Sequence, residues 1–328
     1  TEHPNRYFLM GGHLDSRVSD IMDSTSVAPG ANDDASGVAG AVEAARVLSQ
    51  RDFESSIVYV GYTGEEQGLF GSTHAAEIAV EEDWHLAGVL NNDMIGNIRG
   101  VDGVVENNTF RVFAQRRPPD LHEESWSTRY FGGENDGPSR QLARYVAGMA
   151  ETYVRHLEPL LIYRLDRFGR GGDQMPFANR GFPAVRIMET HENYTRQHQD
   201  LRMEDGIRYG DRIGGVNFDY AAKLTGVNVA SLASLAAGPP APDSVRIGGA
   251  VSPSTTLAWE PVDHADLAGY KLYWRPTAAS RWTKSTFVGD TTRHTLENVV
   301  IDNYLFGVAA VDEDGHESPV AFPSGLLE

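Results

Sequence analysis

The chain has 328 residues, a formal net charge of −18 at pH 7 and no cysteine. This length suggests about two domains, and the lack of thiols excludes disulfides, thiolate zinc sites and a cysteine nucleophile. The acidic balance argues against a nucleic-acid or anionic-membrane partner, and no apolar run reaches the roughly 18 residues of a membrane span.

The first 236 residues alternate between strand-like and helix-like segments. The strand-like runs are RYFLMGG, SIVYVGY, LAGVLNND and GFPAVRIM. The helix-like runs are SGVAGAVEAARVLSQ, GSTHAAEIAVEED, GPSRQLARYVAGMAETYV and an alanine-rich segment over 211–236. The polar stretch 98–137 between them has no periodicity and is predicted to be irregular. This alternation predicts an α/β domain whose sheet is covered by helices on both faces.

The pattern changes after residue 236. AAGPPAPDS has the composition of a linker, and we place the linker at 237–243, between a first domain (1–236) and a second (244–328). TTLAWEPV, AGYKLYWRP, RHTLENV and YLFGVAAVDEDGHESP then alternate between turn residues, which predicts a small all-β sandwich. Trp259, YKLYW and the last of these runs resemble a fibronectin type III module, whose simplest role is that of a spacer.

Potential metal ligands collect where the predicted strands of the first domain end. They are His13, Asp15, Asp33, Asp34, Glu65, Glu66, Asp93 and His198. Because the carboxyl ends of parallel strands meet at one edge of a sheet, these side chains can converge. Each also has a simpler explanation when taken alone: Asp33 or Asp34 can cap the helix that begins near Ser36.

The adjacent Glu65 and Glu66 are the hardest to explain without a cation, because like charges at one place cost free energy unless something offsets them. Histidines and carboxylates together suit zinc. A pair of such ions, ~3.5–4 Å apart, can clamp an attacking hydroxide. One glutamate then binds metal while its neighbour acts as general base on the water.

Five blocks resemble zinc exopeptidase family M28, which includes bacterial di-zinc aminopeptidases. They are GGHLDS, PGANDDASG, GEEQGLFGS, NNDMIG and GFPAVRI…ENYTRQHQD, in family order over about 5–236. The resemblance implies a zinc-peptidase catalytic domain with a central mixed, mostly parallel sheet flanked by helices. It also implies two Zn²⁺ ions, held by His13, Asp33, Glu66, Asp93 and His198.

The same resemblance implies individual roles. Asp33 bridges the two ions, and the family usually groups His13 with Asp93 and His198 with Glu66. Glu65 is the catalytic general base. The Asp15 carboxylate orients the His13 ring. A cis peptide bond joins Asp33 to Asp34.

Some features depart from the family pattern. GRGGDQMPF has Asp173 and Gln174 where the family often has Asp-His, and we expect these two residues, with Arg170 and Tyr194, to line the substrate pocket. Family domains carry several tens of residues before the H-x-D block, so we expect an N-terminal part of the domain to be missing from this chain. The family also implies a secreted or periplasmic location.

The predicted function is that of a metal-dependent exopeptidase, most simply an aminopeptidase that acts on peptides or proteins through a di-zinc-bound water. An acidic cleft suits a free α-amine. A carboxypeptidase would instead need a cation, for which Arg167, Arg170 and Arg196 are candidates, although each more simply forms a structural ion pair. A glutaminyl-cyclase-like acyltransferase would use one zinc, and an inert binding protein would have lost ligands or base.

Overall fold

The computed structural model describes residues 3–116, 129–133 and 135–327. An α/β unit comes first along the chain, and two smaller β-sheets follow it. Within the described residues, no helix combines the length and the apolar character that crossing a membrane requires.

Six strands form the central sheet. They are β1 (His3–His13), β2 (Ser55–Tyr62), β3 (His85–Asn92), β4 (Thr109–Phe113), β5 (Glu158–Ile162) and β6 (Ala184–Glu189). Their spatial order is β2-β1-β3-β6-β4-β5. All neighbours are parallel except β4 and β6, which are antiparallel. The sheet is therefore mixed and mostly parallel, as expected.

In the described part of the chain, five helices cover this sheet. They are α1 (Ala35–Leu48), α2 (Phe70–Glu81), α3 (Pro138–Tyr153), α4 (Gln174–Asn179) and α5 (Phe218–Ala237). Successive strand residues point to opposite faces. Phe8 and Met10 therefore join the apolar core under α1, α3 and α5, whereas Leu9 joins the core under α2 and α4.

Two elements of the α/β unit differ from the prediction. The helix expected over 211–236 begins only at Phe218, because Ile213–Gly215 forms a short 3₁₀ turn and the Asn217 side chain caps the helix by accepting the Tyr220 N–H. Strand β4 lies inside the stretch 98–137, where the sequence predicts irregular structure, and β5 has no predicted counterpart. Both have five residues, which is too short for a clear periodicity. Residues 117–128 and 134 of that stretch lie outside the described residues.

The other strands of the described residues lie outside the central sheet. They are β7 (Arg202–Glu204), β8 (Ile207–Tyr209), β9 (Arg246–Gly248), β10 (Thr255–Ala258), β11 (Leu267–Pro276), β12 (Lys284–Gly289), β13 (Arg293–Leu296), β14 (Tyr304–Asp312) and β15 (Gly325–Leu326). The first two form a hairpin, and the others form the sheets β13-β10-β9-β15 and β12-β11-β14. These two sheets share a core that contains Trp259, Tyr270 and Phe306. Their assignment to the fibronectin type III family stays a prediction, as do the domain boundaries.

A buried ion-pair network joins the C-terminal sheets to the α/β unit. The carboxylate of Asp136, just before α3, lies 3.0 Å from Arg144 on α3 and 2.7 Å from Arg275 on β11. Arg144 also donates to the Ser280 carbonyl. All three charged side chains of the network are almost inaccessible to solvent. The α/β unit and the C-terminal sheets are thus joined by buried charges, in which the single carboxylate of Asp136 pairs with both arginines.

We predict that Asp136→Asn lowers the free energy of unfolding by about 3–5 kcal/mol, because it leaves two buried guanidinium groups without their counter-charge. Urea denaturation of the full chain would measure the loss. The matched control is Glu260→Gln, which breaks the exposed pair between Glu260 and Arg246. That change should cost less than about 1 kcal/mol. Equal, small losses for both variants would show that the buried network does not stabilise the junction.

Candidate metal centre

The predicted ligands lie at the carboxyl edge of the central sheet. His13 is the last residue of β1, Glu65 and Glu66 follow β2, and Asp93 follows β3. Because β2, β1 and β3 are parallel neighbours, their ends meet at this edge. Asp33 precedes α1, and His198 lies in the loop after β6; both reach the same place.

Asp33 lies at the centre of the cluster, because its two carboxylate oxygens face two different imidazoles. Oδ1 is 3.2 Å from His13 Nε2, and Oδ2 is 3.0 Å from His198 Nε2. Asp93 Oδ2 lies 3.8 Å from the same His13 nitrogen, and Glu66 Oε1 lies 3.0 Å from His198 Nε2. The structure therefore brings all five predicted ligands together as two groups of three that share Asp33.

The chemistry of these donors fits metal binding. Nitrogen and carboxylate ligands suit zinc and related divalent ions. Among the described residues, His13 Nε2 and Glu66 Oε1 are buried; their contacts with Asp33 and His198 are short but not aligned as hydrogen bonds, as expected of ligand atoms that would face a cation. With the charges of the chain alone, burial and then the negative charge of Asp33 raise the pKa of Glu66, although His198 opposes the rise. Each group of three can thus hold one ion.

Asp15 contacts the site differently from the prediction. His13 Nδ1 lies 2.9 Å from the backbone carbonyl oxygen of Asp15 but 3.8 Å from its carboxylate. The Asp15 carboxylate instead accepts the backbone N–H groups of Glu65 and Glu66, each at 3.1 Å. The expected role is therefore corrected: the carbonyl positions the ring, and the carboxylate holds the loop that carries both glutamates. Asp15 lies next to the loop that carries Glu65 and Glu66 because β1 and β2, which precede them, are neighbouring strands.

The loop that carries Asp33 is fixed by two further carboxylates. Asp34 accepts the backbone N–H of His13 at 2.9 Å and that of Gly37 at 3.2 Å, so it also caps α1. The Asp33–Asp34 peptide bond is cis, as the resemblance implied. Asp211 accepts the N–H groups of Asn32 and Asp33, both at 2.7 Å. The sequence carries no signal for Asp211, because it stands in a stretch whose composition predicts helix.

Arg186 is a second residue that sequence reasoning missed. It lies on β6, is fully buried, and places Nη2 2.8 Å from Asp93 Oδ1 and Nη1 3.1 Å from Asp166 Oδ2. It also donates to the Asp93 carbonyl. Burial alone would lower the pKa of Arg186, but the carboxylates of Asp93 and Asp166 more than offset this and raise it. One oxygen of Asp93 thus faces a fixed cation, while the other faces His13.

Glu65 is the glutamate that neither group of three includes. It is half-buried, and its backbone is held by Asp15. With the charges of the chain alone, burial and then the negative charge of Asp93 raise the pKa of Glu65 to about 8. A carboxyl group that lies beside the metal ligands and belongs to neither group of three is placed to take up and deliver a proton.

The predicted pocket residues occupy very different environments. Asp173 is fully buried, and burial raises its pKa to about 7. Gln174 is also buried, and its amide donates to Asp166 at 2.9 Å and accepts from Asn91 at 3.2 Å, so its role in lining the pocket stays a prediction. Tyr194 is 57% exposed and stays a candidate.

Arg170, the fourth predicted pocket residue, lies 2.9 Å from Glu192. Glu192 also pairs with Arg167 at 2.9 Å and with Arg111 at 3.1 Å. Burial alone would raise the pKa of Glu192, but the Arg167 and Arg111 guanidinium groups lower it to about 2. Arg170 is therefore part of a structural ion-pair network at the edge of the site.

Comparison with known proteins gives the family. The model of Peptidase family M28 matches residues 1–207. A probable zinc metalloprotease of Leptosphaeria maculans is 44% identical over 326 residues, which cover 98% of this chain and 75% of that protein. One of Pyrenophora tritici-repentis is 42% identical over 327 residues, covering 98% and 68%.

Solved structures agree with the architecture. The LapA aminopeptidase of Legionella pneumophila has a TM-score of 0.50 and 25% identity to this chain. The match covers 72% of this chain and 52% of LapA, so the chain corresponds to about half of that protein. LapB of the same organism, with a TM-score of 0.51 and 20% identity, shows the fold alone. From the family model and the fungal relatives together, the chain belongs to peptidase family M28.

Proposed function

We propose that the chain is a zinc-dependent aminopeptidase that removes N-terminal residues from peptides at a pair of zinc ions. The observation that carries the proposal is the sharing of Asp33, whose two oxygens lie 3.2 and 3.0 Å from the nitrogens of His13 and His198. The fungal relatives named as probable zinc metalloproteases and the LapA aminopeptidase support the same function.

Each ligand has a defined task in this proposal. His13 and Asp93 would hold one ion, His198 and Glu66 would hold the other, and Asp33 would be a ligand of both. Bound zinc would act as a Lewis acid on the scissile carbonyl and lower the pKa of water. Glu65 removes the proton of the attacking water and then delivers it to the leaving amine. The Asp15 carboxylate keeps Glu65 and Glu66 in place through their backbone N–H groups.

The charges around the site favour cleavage from the amino end of the substrate. A carboxypeptidase needs a cation for the terminal carboxylate of its substrate. The three arginines considered for this task are already engaged: Arg167 and Arg170 pair with Glu192, and Arg196 donates to Asn97 and to the Gly215 carbonyl. The surplus of carboxylates around Glu65 instead suits a positively charged α-amine.

An acyltransferase and an inert binding protein fit the donor set less well. A glutaminyl-cyclase-like acyltransferase with one zinc needs a single group of ligands, whereas this chain has two groups that share Asp33. An inert binding protein would have no need to keep Glu65 beside complete ligands. A secreted or periplasmic location, and a spacer role for the C-terminal sheets, remain parts of the proposal that rest on resemblance.

We predict that Glu65→Gln lowers kcat by about 10²–10⁴-fold while the zinc content stays the same, because the amide cannot accept the proton of the water. Turnover of a short unblocked peptide and elemental analysis of the same sample would measure both. The matched control is Glu81→Gln at the exposed end of α2, which should leave both values unchanged. Normal turnover by the Glu65 variant with metal bound would rule out its role as general base.

The direction of cleavage can be tested with one unblocked decapeptide and its N-acetylated twin. We expect zinc-loaded protein to shorten the first from its amino end and to leave the second intact, because acetylation removes the charged amine. Mass spectrometry of the products would show the ladder. Shortening of both peptides from the carboxyl end would contradict the aminopeptidase assignment and turn attention to Arg170 and its neighbours.

Arg186 should influence the affinity of one ion more than the other, because it fixes the orientation of Asp93 only. We predict that Arg186→Lys weakens zinc binding at the His13 group by about 10–100-fold, the usual cost of losing an outer partner of a ligand. Competition with a chelator, followed for each ion separately, would measure this. Arg111→Lys, which changes a strand arginine paired with Glu192, is the control. Equal affinities in Arg186→Lys and the unsubstituted chain would exclude the positioning role.

A further inference from the structure

A third cluster of histidine and carboxylate side chains lies far from the centre described above. It consists of His3 at the start of β1, Glu54 just before β2, and His264 in the loop between β10 and β11. His3 and His13 stand at opposite ends of an 11-residue strand. At about 3.3 Å per residue they are about 33 Å apart. The cluster therefore belongs to the opposite edge of the sheet, where the C-terminal sheets meet it.

The distances within this cluster match those between ligands of one metal ion. His3 Nε2 lies 3.3 Å from His264 Nδ1, and Glu54 Oε2 lies 3.4 Å from the same nitrogen. Two ligand atoms that are each about 2.0–2.1 Å from a tetrahedral zinc ion are about 3.3 Å apart. Two of the three donor–donor distances thus match the edges of a zinc tetrahedron, and the third pair of donors, from His3 and Glu54, lies within 4.8 Å.

The surroundings of His264 support this use of its Nδ1. Its side chain is fully buried, and its other nitrogen, Nε2, lies 2.7 Å from Asp266 Oδ1. A metal-bound histidine usually presents its second nitrogen to a carboxylate, which fixes the ring and leaves the first nitrogen free to bind the ion. Asp266 lies close enough to be that carboxylate, although the two groups are not oriented for a hydrogen bond in this structure.

A cavity of about 280 Å³ opens beside the cluster. Its charged and titratable lining residues are Asp52, Glu54, Asp266, Asp312, Asp314 and His316. Such an acidic cavity favours the approach of a cation over that of an anion. Asp266 and Asp312 also lie near His264 and add to the negative charge around it.

We propose that His3, Glu54 and His264 bind a divalent transition-metal ion, with zinc the best match to two imidazoles and a carboxylate. The ion would be structural, because its ligands come from both parts of the chain and lie far from Glu65. It joins the start of the central sheet to the β10–β11 loop, so its binding free energy contributes directly to the docking of the C-terminal sheets. This inference does not depend on the proposed peptidase mechanism.

The test compares the zinc content of the full chain with that of H264Q and of H294Q. Each protein is stripped with a chelator, equilibrated with zinc, freed of excess metal and measured by elemental analysis. We expect H264Q to hold one zinc fewer per chain, and H294Q, changed at a half-buried histidine of β13, to hold the full number. This difference does not depend on how many ions the Asp33 centre holds.

H3Q keeps the test decisive if H264Q fails to fold, because His3 is only half-buried at the start of its strand. We expect H3Q also to lose one zinc and to lose part of the zinc-dependent rise in Tm, while turnover of a short peptide is unchanged. A full zinc content in H3Q, or in folded H264Q, would overturn the proposal. The contact between His3 and His264 would then be only a hydrogen bond between two imidazoles. Glu65→Gln should keep this ion, so failure of the catalytic proposal would be recognised separately.

Discussion

The crowding of negative charge at one edge of the central sheet is the constraint on which the site depends. Asp33, Asp93 and Glu66 approach two imidazoles there, while Asp34 and Glu65 stand beside them. Carboxylates that are removed from water and placed side by side repel one another strongly unless cations or shared protons offset their charge. The surrounding structure contains several interactions that stabilise this concentration of negative charge.

Two kinds of positive charge offset this concentration of carboxylates. One belongs to the chain: Arg186 is buried within β6 and faces both Asp93 and Asp166. The other is the metal that the donor groups around Asp33 are able to bind. Backbone N–H groups provide a third, weaker contribution, because Asp15, Asp34 and Asp211 each accept them from the loops that carry the ligands. Ligand geometry is therefore set before any ion arrives, which lowers the cost of binding it.

The C-terminal sheets are more than an appended unit in this structure. Arg275 reaches the buried Asp136 beside α3, and His264 reaches His3 and Glu54 at the start of the central sheet. The first contact fixes one side of the junction through ion pairs. The second places two imidazoles and a carboxylate at metal-ligand spacing on another side. Both contacts lie away from the Asp33 centre, so they hold the two parts together without entering the reaction site.

Much of the candidate site was predictable because the local sequence around each of its residues carries a recognisable pattern. Each ligand follows an apolar strand or stands in a glycine-rich loop, and parallel strands necessarily bring such positions to one edge. The rule for parallel strands, together with the family resemblance, was enough to place Glu65, Glu66, Asp33 and Asp34 at the site. The α/β order and the C-terminal β segments were predictable for the same reason, because helical and strand periodicities extend over neighbouring residues.

What only the tertiary structure decided involves residues far apart in the chain or strands too short to carry a pattern. Strands β4 and β5 have five residues each and owe their stability to neighbours in the sheet. In the sequence, Arg186 is only one polar residue in an apolar strand. The structure shows that it pairs with Asp93 and Asp166. His3 and His264 are 261 residues apart, yet their nitrogens lie 3.3 Å apart. The sequence by itself determined which residue types stand at strand ends; packing between distant segments determined which charges face one another, because that depends on distances no local pattern encodes.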